Sequence, residues 1–208
     1  MGASGTSKYT RMQTSRLNLV RLTPEHLGGY HAIWSDPVAT RWFPYELSET
    51  LEGSAERMFD VSSSQNPDSE HYAVFLRDDI DVSGLRQNNT HPTNSNAGSN
   101  QPILEHGLLL GVVGDYSSGF VPQVGLIYHR SAWGYGFATE ALAVYIEMLW
   151  KRPQFDVVEA ECDSENHASV NVLRKCGFEL VEILTEEYEI PWKKPSSRDS
   201  LRFQLTRA

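Results

Sequence analysis

Apolar and polar side chains alternate from Arg16 to Leu22 (RLNLVRL), the two-residue period of a strand with one buried face. Thr23, Pro24 and Glu25 then supply an N-cap, a proline at the first helical position and an early acid, which predicts a helix to about Trp34. Gly28 and Gly29 weaken it and Asp36-Pro37 ends it. A second helical stretch runs from Ser48 to about Val61. His71 to Arg77 (HYAVFLR) and Leu108 to Val113 read as strands, as does the short, β-branched and aromatic run from Val124 to Tyr128. From Phe137 to Trp150 the few polar positions are Thr139, Glu140 and Glu147, and the apolar face at 138, 141, 142, 145, 146 and 149 is broad enough to require burial against a sheet. Lys151 and Arg152 suit the negative end of that helix, and Pro153 prevents its continuation.

Val157 to Cys162 is a further strand. Asn166 to Cys176 is a short helix closed by Gly177, with Phe178 packing back and Val170, Leu173 and Cys176 on one face. A long strand over Phe178 to Ile190, a loop over Pro191 to Ser197 and a strand from Leu201 to Leu205 complete the chain. This order predicts a single α+β domain over residues 16–208, a mixed central sheet of about six to seven strands flanked by about four helices. Residues 1–15 show no periodicity and read as a flexible arm. An insertion at about 79–102 includes QNNTHPTNSNAGSNQ, without a charged residue or an aliphatic larger than alanine, so it is expected to be a disordered hairpin tip. The aromatic connector Thr40 to Tyr45 (TRWFPY) either borders a cleft or plugs the core; since aromatics are mostly core payload, the plug is the favoured reading.

At 208 residues the chain can bury roughly 70% of its unfolded surface without metal or disulfide help. Its net charge of -9 argues against nucleic acid as a partner and suits either a cationic substrate or simple solubility. Cys162 and Cys176 have no CxxC or metal-ligand spacing. With no secretory leader either, packed free thiols in a reducing, cytoplasmic compartment are expected. No apolar run reaches the length of about 18 residues that a membrane span needs. Met1-Gly2-Ala3-Ser4-Gly5-Thr6 satisfies the loose N-myristoylation pattern, but it also has a flexible tail's composition, and one acyl chain binds membranes only marginally. The Asn88-Asn89-Thr90 sequon is read as accidental, and the expected assembly is a monomer or homodimer.

Candidate chemistry begins where the strand at Val124 to Tyr128 hands over to the long helix. Gly134 and Gly136 remove two Cβ atoms there, leaving backbone N–H groups and the positive end of the helix dipole open to an anion; a pyrophosphate fits. A dinucleotide fingerprint is the rival reading, with Glu159 as the acid about 20 residues on. It lacks the third glycine, and the remaining chain is too short for the further βα repeats such a unit needs.

Trp133-Gly134-Tyr135-Gly136-Phe137-Ala138-Thr139-Glu140-Ala141, followed by Glu165-Asn166-His167-Ala168-Ser169 and Lys175-Cys176-Gly177-Phe178, resembles the GNAT superfamily of acetyl-CoA-dependent N-acetyltransferases, most of all its RimJ/RimL-like branch. Arg16-Leu17-x-Leu19 is similar to that branch's opening, so the resemblance covers residues 16–206. It implies that acetyl-CoA lies against the strand ending at Tyr128, with its pantetheine along Leu126, Ile127 and Tyr128. The pyrophosphate would sit on the turn formed by Ser131, Trp133, Gly134, Tyr135, Gly136, Phe137, Ala138 and Thr139. Asn166 would hold the pantetheine arm.

The implied reaction is direct attack of a neutral primary amine on the thioester in a ternary complex, with no metal; the amine belongs to a protein N-terminus or a small, polyamine-like molecule. Backbone N–H groups at Leu126 and Ile127 are the oxyanion candidates. The family's usual tyrosine acid is replaced by Leu173, so the acid implied is Ser169, in the first turn of its helix where the dipole favours a thiolate. The base most similar to the branch's is Glu187; Glu186, Glu161 and water are rivals. Asn166 and Ser169 equally suit a plain helix cap. Where the family often carries Gln or Arg this chain has Ser131, with Arg130 displaced by one, so phosphate is met mainly by backbone. His129 and His167 are assigned no role. The alternative class is a noncatalytic acyl-CoA-binding module.

Overall fold

The computed structural model describes residues 11–62, 70–87, 103–117, 119–189 and 197–207. The acylation motif, the sequon and the asparagine-rich part of the insertion lie outside the described residues. Five strands, β1 (Arg11–Gln13), β2 (Leu17–Arg21), β3 (His71–Leu76), β4 (Gly111–Asp115) and β5 (Val124–Tyr128), form one antiparallel sheet in chain order. Three more, β6 (Val157–Asp163), β7 (Glu179–Glu189) and β8 (Ser197–Thr206), form a second with β8 in the middle. The helices are α1 (Leu27–Trp34), entered through a 3-10 turn at Pro24–His26, α2 (Leu51–Ser62), α3 (Phe137–Trp150) and α4 (His167–Lys175). The α+β class and the four helices match the pattern in the sequence. The central sheet, however, is divided, because β5 and β6 meet only at a parallel bridge between Gln123 and Glu159, where the Glu159 amide donates to the Pro122 carbonyl at 2.8 Å. Beyond that bridge no ladder joins them, and among the described residues the outer edge of β5 has no strand partner.

Both faces of the five-stranded sheet are covered. Along β4, Val113 packs into a core with Leu17, Leu19, Leu142, Tyr145 and Phe203, while its neighbour Val112 packs into another with Tyr30, Ile33, Trp34 and Ile127. A strand buried on both sides loses the alternation that marks its ends. That is why the sequence shifts it to Leu108–Val113, although it runs to Asp115, whose buried carboxylate accepts the Ser117 and Gln123 amides. The two glycines of α1 have separate reasons. A Cβ at Gly29 would come within 2.6 Å of the Leu109 Cβ, so this residue lets the helix lie close to the sheet, whereas Gly28 faces open space.

Two expectations are corrected. Residues 11–13 are not part of an arm: they pair with β2 and bury Met12, a strand too short to show a period. In the stem of the insertion, Val82–Gly84 makes a 3-10 turn capped by Asp81, and Ile80, Val82 and Leu85 pack on the main core.

Candidate active site

The glycine turn has the conformation its sequence requires. Gly134 and Gly136 have φ of 82° and 81°, the left-handed region open to glycine, and Gly136 is the N-cap of α3. Upstream, a 3-10 turn at Arg130–Ala132 ties down its own donors: Nδ1 of His129 lies 3.3 Å from the Ser131 amide nitrogen, Ala132 N–H reaches the His129 carbonyl and Trp133 N–H the Arg130 carbonyl. Ser131 and Trp133 therefore offer no free amide. From Gly134 through Thr139 the amides have no acceptor among the described residues, and they surround the positive end of a long, largely buried helix. Phe137 is itself buried, so it contributes backbone rather than side chain.

Arg16 fastens this turn, a role the sequence did not disclose. Its Nη1 donates to the Tyr135 carbonyl at 3.0 Å, its Nε to Oε2 of Glu140 at 2.7 Å, and its guanidinium stacks 4.9 Å over the Phe137 ring. Burial would raise the Glu140 carboxyl, but hydrogen bonds from Thr14 and Arg16 outweigh it and hold the group below its ordinary range. Arg130, by contrast, is bound to Asp36 and turned toward the α1–α2 connection.

On β5 the ladder decides which amides face the gap. Tyr116 N–H donates to the Gln123 carbonyl and His129 N–H to the Leu110 carbonyl, and in an antiparallel pair these bonded positions recur at every second residue. Gly125 and Ile127 thus point their amides at β4, and Leu126 and Tyr128 point theirs outward. Of the two oxyanion candidates, Leu126 faces the gap and Ile127 does not; the Ile127 side chain is buried in the core beneath α1. The outward Tyr128 carbonyl accepts the Trp133 indole N–H at 3.0 Å. The Tyr128 side chain is buried against the main core.

Across the gap, Asn166 caps α4 through Oδ1, which accepts the Ser169 amide at 3.2 Å, leaving the Ser169 hydroxyl out of the cap. The start of α4 is braced from below. Arg198 is buried and forks onto both oxygens of the buried Asp163 at 2.8 Å, while Asp163 also accepts the Glu165 and Asn166 amides. At its other end α4 closes with the Phe178 amide on the Leu173 carbonyl and the Gly177 amide on the Arg174 carbonyl, Gly177 having φ 88°.

Leu126, Asn166, Ser169 and Leu173 come together in the wall of a cleft of about 770 Å³ between the two sheets; the glycine turn and Tyr128 are not in that wall. The other end of the cleft is aromatic: Trp34, Trp42, Phe43, Tyr45 and Tyr116 line it. The TRWFPY connector therefore borders the cleft rather than plugging the core, with only Phe43 also reaching the second core. Cys162 also lines the cleft. Burial, then Asp163 and Glu161, pushes its thiol up to about 12, and burial pushes Cys176 up to about 11, so both stay protonated thiols.

The base candidates are scattered. Oε1 of Glu161 is taken by Arg202 at 2.8 Å, and Glu186, at φ 53°, donates its amide to Asp199 and is exposed. Glu187 sits in β7 at an irregularity between Leu184 and Tyr188, and its side chain lies outside the described residues. His167 is exposed at the first turn of α4. Among the described residues no group of His, Cys, Asp and Glu is placed to hold a metal, and no helix is long and apolar enough to cross a membrane.

A split sheet, a turn of free amides at a helix mouth and a cleft between the sheets define an acyltransferase scaffold. The sequence matches the family described as "Acetyltransferase (GNAT) domain" over residues 16–179, well over half the chain, and the protein belongs to that family. No curated protein sequence matches it. Among solved structures, spermidine N-acetyltransferase from Vibrio cholerae in complex with CoA and spermine is similar over 93% of this chain and 96% of its own, at 16% identity and a TM-score of 0.68. The Salmonella typhimurium acetyltransferase that modifies the N-terminal serine of 50S ribosomal subunit protein L7/L12 is similar over 94% and 97%, at 12% identity and a TM-score of 0.70. RimL, the ribosomal L7/L12 alpha-N-protein acetyltransferase, is similar over 93% and 92%, at 13% identity and a TM-score of 0.69. At such identities the likeness is one of fold.

Proposed function

We propose that the protein transfers an acetyl group from acetyl-CoA to a primary amine by direct attack in a ternary complex. The observation that carries this is the run of amides from Gly134 through Thr139 with no acceptor among the described residues, in the turn that follows a β5 edge whose Leu126 amide points into the gap between the sheets. Diphosphate on the first and a pantetheine amide along the second give the cofactor a continuous track. The spermidine and ribosomal-protein enzymes of the same fold add weight to an amine acceptor.

On this reading each residue has a distinct task. The Leu126 N–H stabilises the oxyanion as the amine attacks the thioester carbon. Collapse of that intermediate breaks the C–S bond, and Ser169 Oγ–H gives its proton to the departing thiolate, aided by the N-terminal field of α4. Asn166 orients the pantetheine arm. Glu187 takes the amine's proton directly or through water.

The second reading, a noncatalytic acyl-CoA-binding module, is favoured by Leu173, a buried hydrocarbon in the cleft wall where the family usually has its tyrosine acid. CoA release measured against a panel of primary amines separates the two. Turnover with any of them supports the transferase, and tight acetyl-CoA binding without turnover on all of them supports the module.

A further inference from the structure

Arg57, on α2, lines the aromatic end of the cleft with its guanidinium carbon 4.6 Å from the centre of the Trp34 ring and 5.0 Å from that of Tyr45. Its hydrogen bonds go to neutral acceptors, Oγ of Ser48 at 3.4 Å and the Glu46 carbonyl at 3.1 Å. Other half-buried or buried arginines of this chain, Arg16, Arg130, Arg198 and Arg202, each meet a carboxylate. Among the described residues Arg57 meets none, although Glu56 and Asp60 stand on the same helix, exposed at the cleft's margin and also unpaired. Two aromatic faces hold the plane of the guanidinium and partly dry it, while part of its five-donor fork is left without a partner. A fixed, half-desolvated fork with spare donors is suited to a carboxylate, which it takes in a bidentate fashion.

We propose, building on the acyltransferase reading, that Arg57 is a specificity-determining residue that seats a carboxylate carried by the amine acceptor. The acceptor class is then a zwitterion, an amine with an acidic group a few bonds away, rather than a bare polyamine. Glu56 and Asp60 favour the ammonium on approach and disfavour anions that lack one. Two sources share this chemistry, a free amino acid and a peptide N-terminus with an acidic second residue.

The test is calorimetric binding to the full chain in the presence of CoA, with matched probes: L-alanine against L-alaninamide, and a seryl-aspartyl peptide amide against its seryl-asparaginyl counterpart. At least one carboxylate member should bind about 10- to 100-fold tighter than its neutral partner. In Arg57→Gln that ratio should collapse to within about threefold, and Arg57→Lys, which keeps the charge without the fork, should restore part of it. The pair that shows the preference identifies the source. No preference in either pair, no binding of either carboxylate member, or a preference that survives Arg57→Gln overturns the proposal. A wild type that acetylates amines without carboxylate preference defeats this inference alone. Failure to bind CoA defeats the transferase reading instead, and titrations without CoA still read Arg57.

Discussion

Nε of Arg16 lies 2.7 Å from Oε2 of Glu140, and that bond ties the first hairpin to the mouth of α3. Glu140 also receives the Arg16 amide at 3.0 Å and the hydroxyls of Thr14 and Ser15, so one carboxylate gathers the whole β1–β2 turn. Glu140→Ala leaves the half-buried Arg16 guanidinium and those donors without their acceptor, at a cost of about 1–3 kcal/mol. Urea denaturation should register this, and CoA affinity should fall with it because Arg16 also holds the Tyr135 carbonyl.

Gly136 of the turn and Gly28 of α1 should respond oppositely to alanine. At Gly136 a Cβ meets Arg16 Nη2 only at an ordinary 3.6 Å, so Gly136→Ala costs backbone strain at φ 81°, about 1–2 kcal/mol, and a melting temperature lower by about 2–8 °C. Gly28 sits exposed in a helix with nothing within 4 Å of its Cβ position, and Gly28→Ala should stabilise by about 0.4–1 kcal/mol. Scanning calorimetry of both variants checks the signs.

Ser169 contributes its amide, and not its hydroxyl, to the Asn166 cap. Ser169→Ala should therefore keep stability and CoA affinity near wild type while turnover falls about 100-fold or more. Asn166→Ala should lose about 1 kcal/mol of stability. A Ser169→Ala enzyme with undiminished kcat removes the serine from the proton path.

His71 is buried, packs edge-on against Tyr116 with ring centres 4.5 Å apart, and has no partner for Nε2 among the described residues. Burial, then the nearby Arg21 charge, lowers it from 6.5 to about 3. Because the unfolded chain takes the proton first, stability should be intact above about pH 6.5 and drop as pH falls toward 3, by at most about 1.4 kcal/mol per pH unit from this group. The slope of unfolding free energy against pH should be shallower in His71→Phe than in wild type over that window.

Much of the scaffold was legible because its signals are local. The predicted Phe137–Trp150 helix and Val124–Tyr128 strand coincide with α3 and β5, the helix marked by its apolar face and the strand by its β-branched and aromatic composition, and the Gly177 stop matches the closing turn of α4. Less visible were features that join distant segments. β1 has three residues and acquires meaning only from β2, the Arg198–Asp163 fork joins residues 35 positions apart, and Arg57 is one arginine among many until Trp34 and Tyr45 close on it. Aromaticity alone favours a core position for the connector, because composition does not say which side of a sheet a loop crosses.

The amino-acid order by itself determined the chemistry offered at the helix mouth: glycines at 134 and 136 tolerate positive φ and expose amides, whatever surrounds them. Only the tertiary structure decided which amides remain to be used. On β5 that choice follows from the neighbour: pairing with β4 on one side consumes the Ile127 donor, and the absence of a ladder to β6 beyond Gln123 leaves the Leu126 donor facing the opening. A hydrogen bond's direction depends on where another strand lies, and no local pattern encodes that.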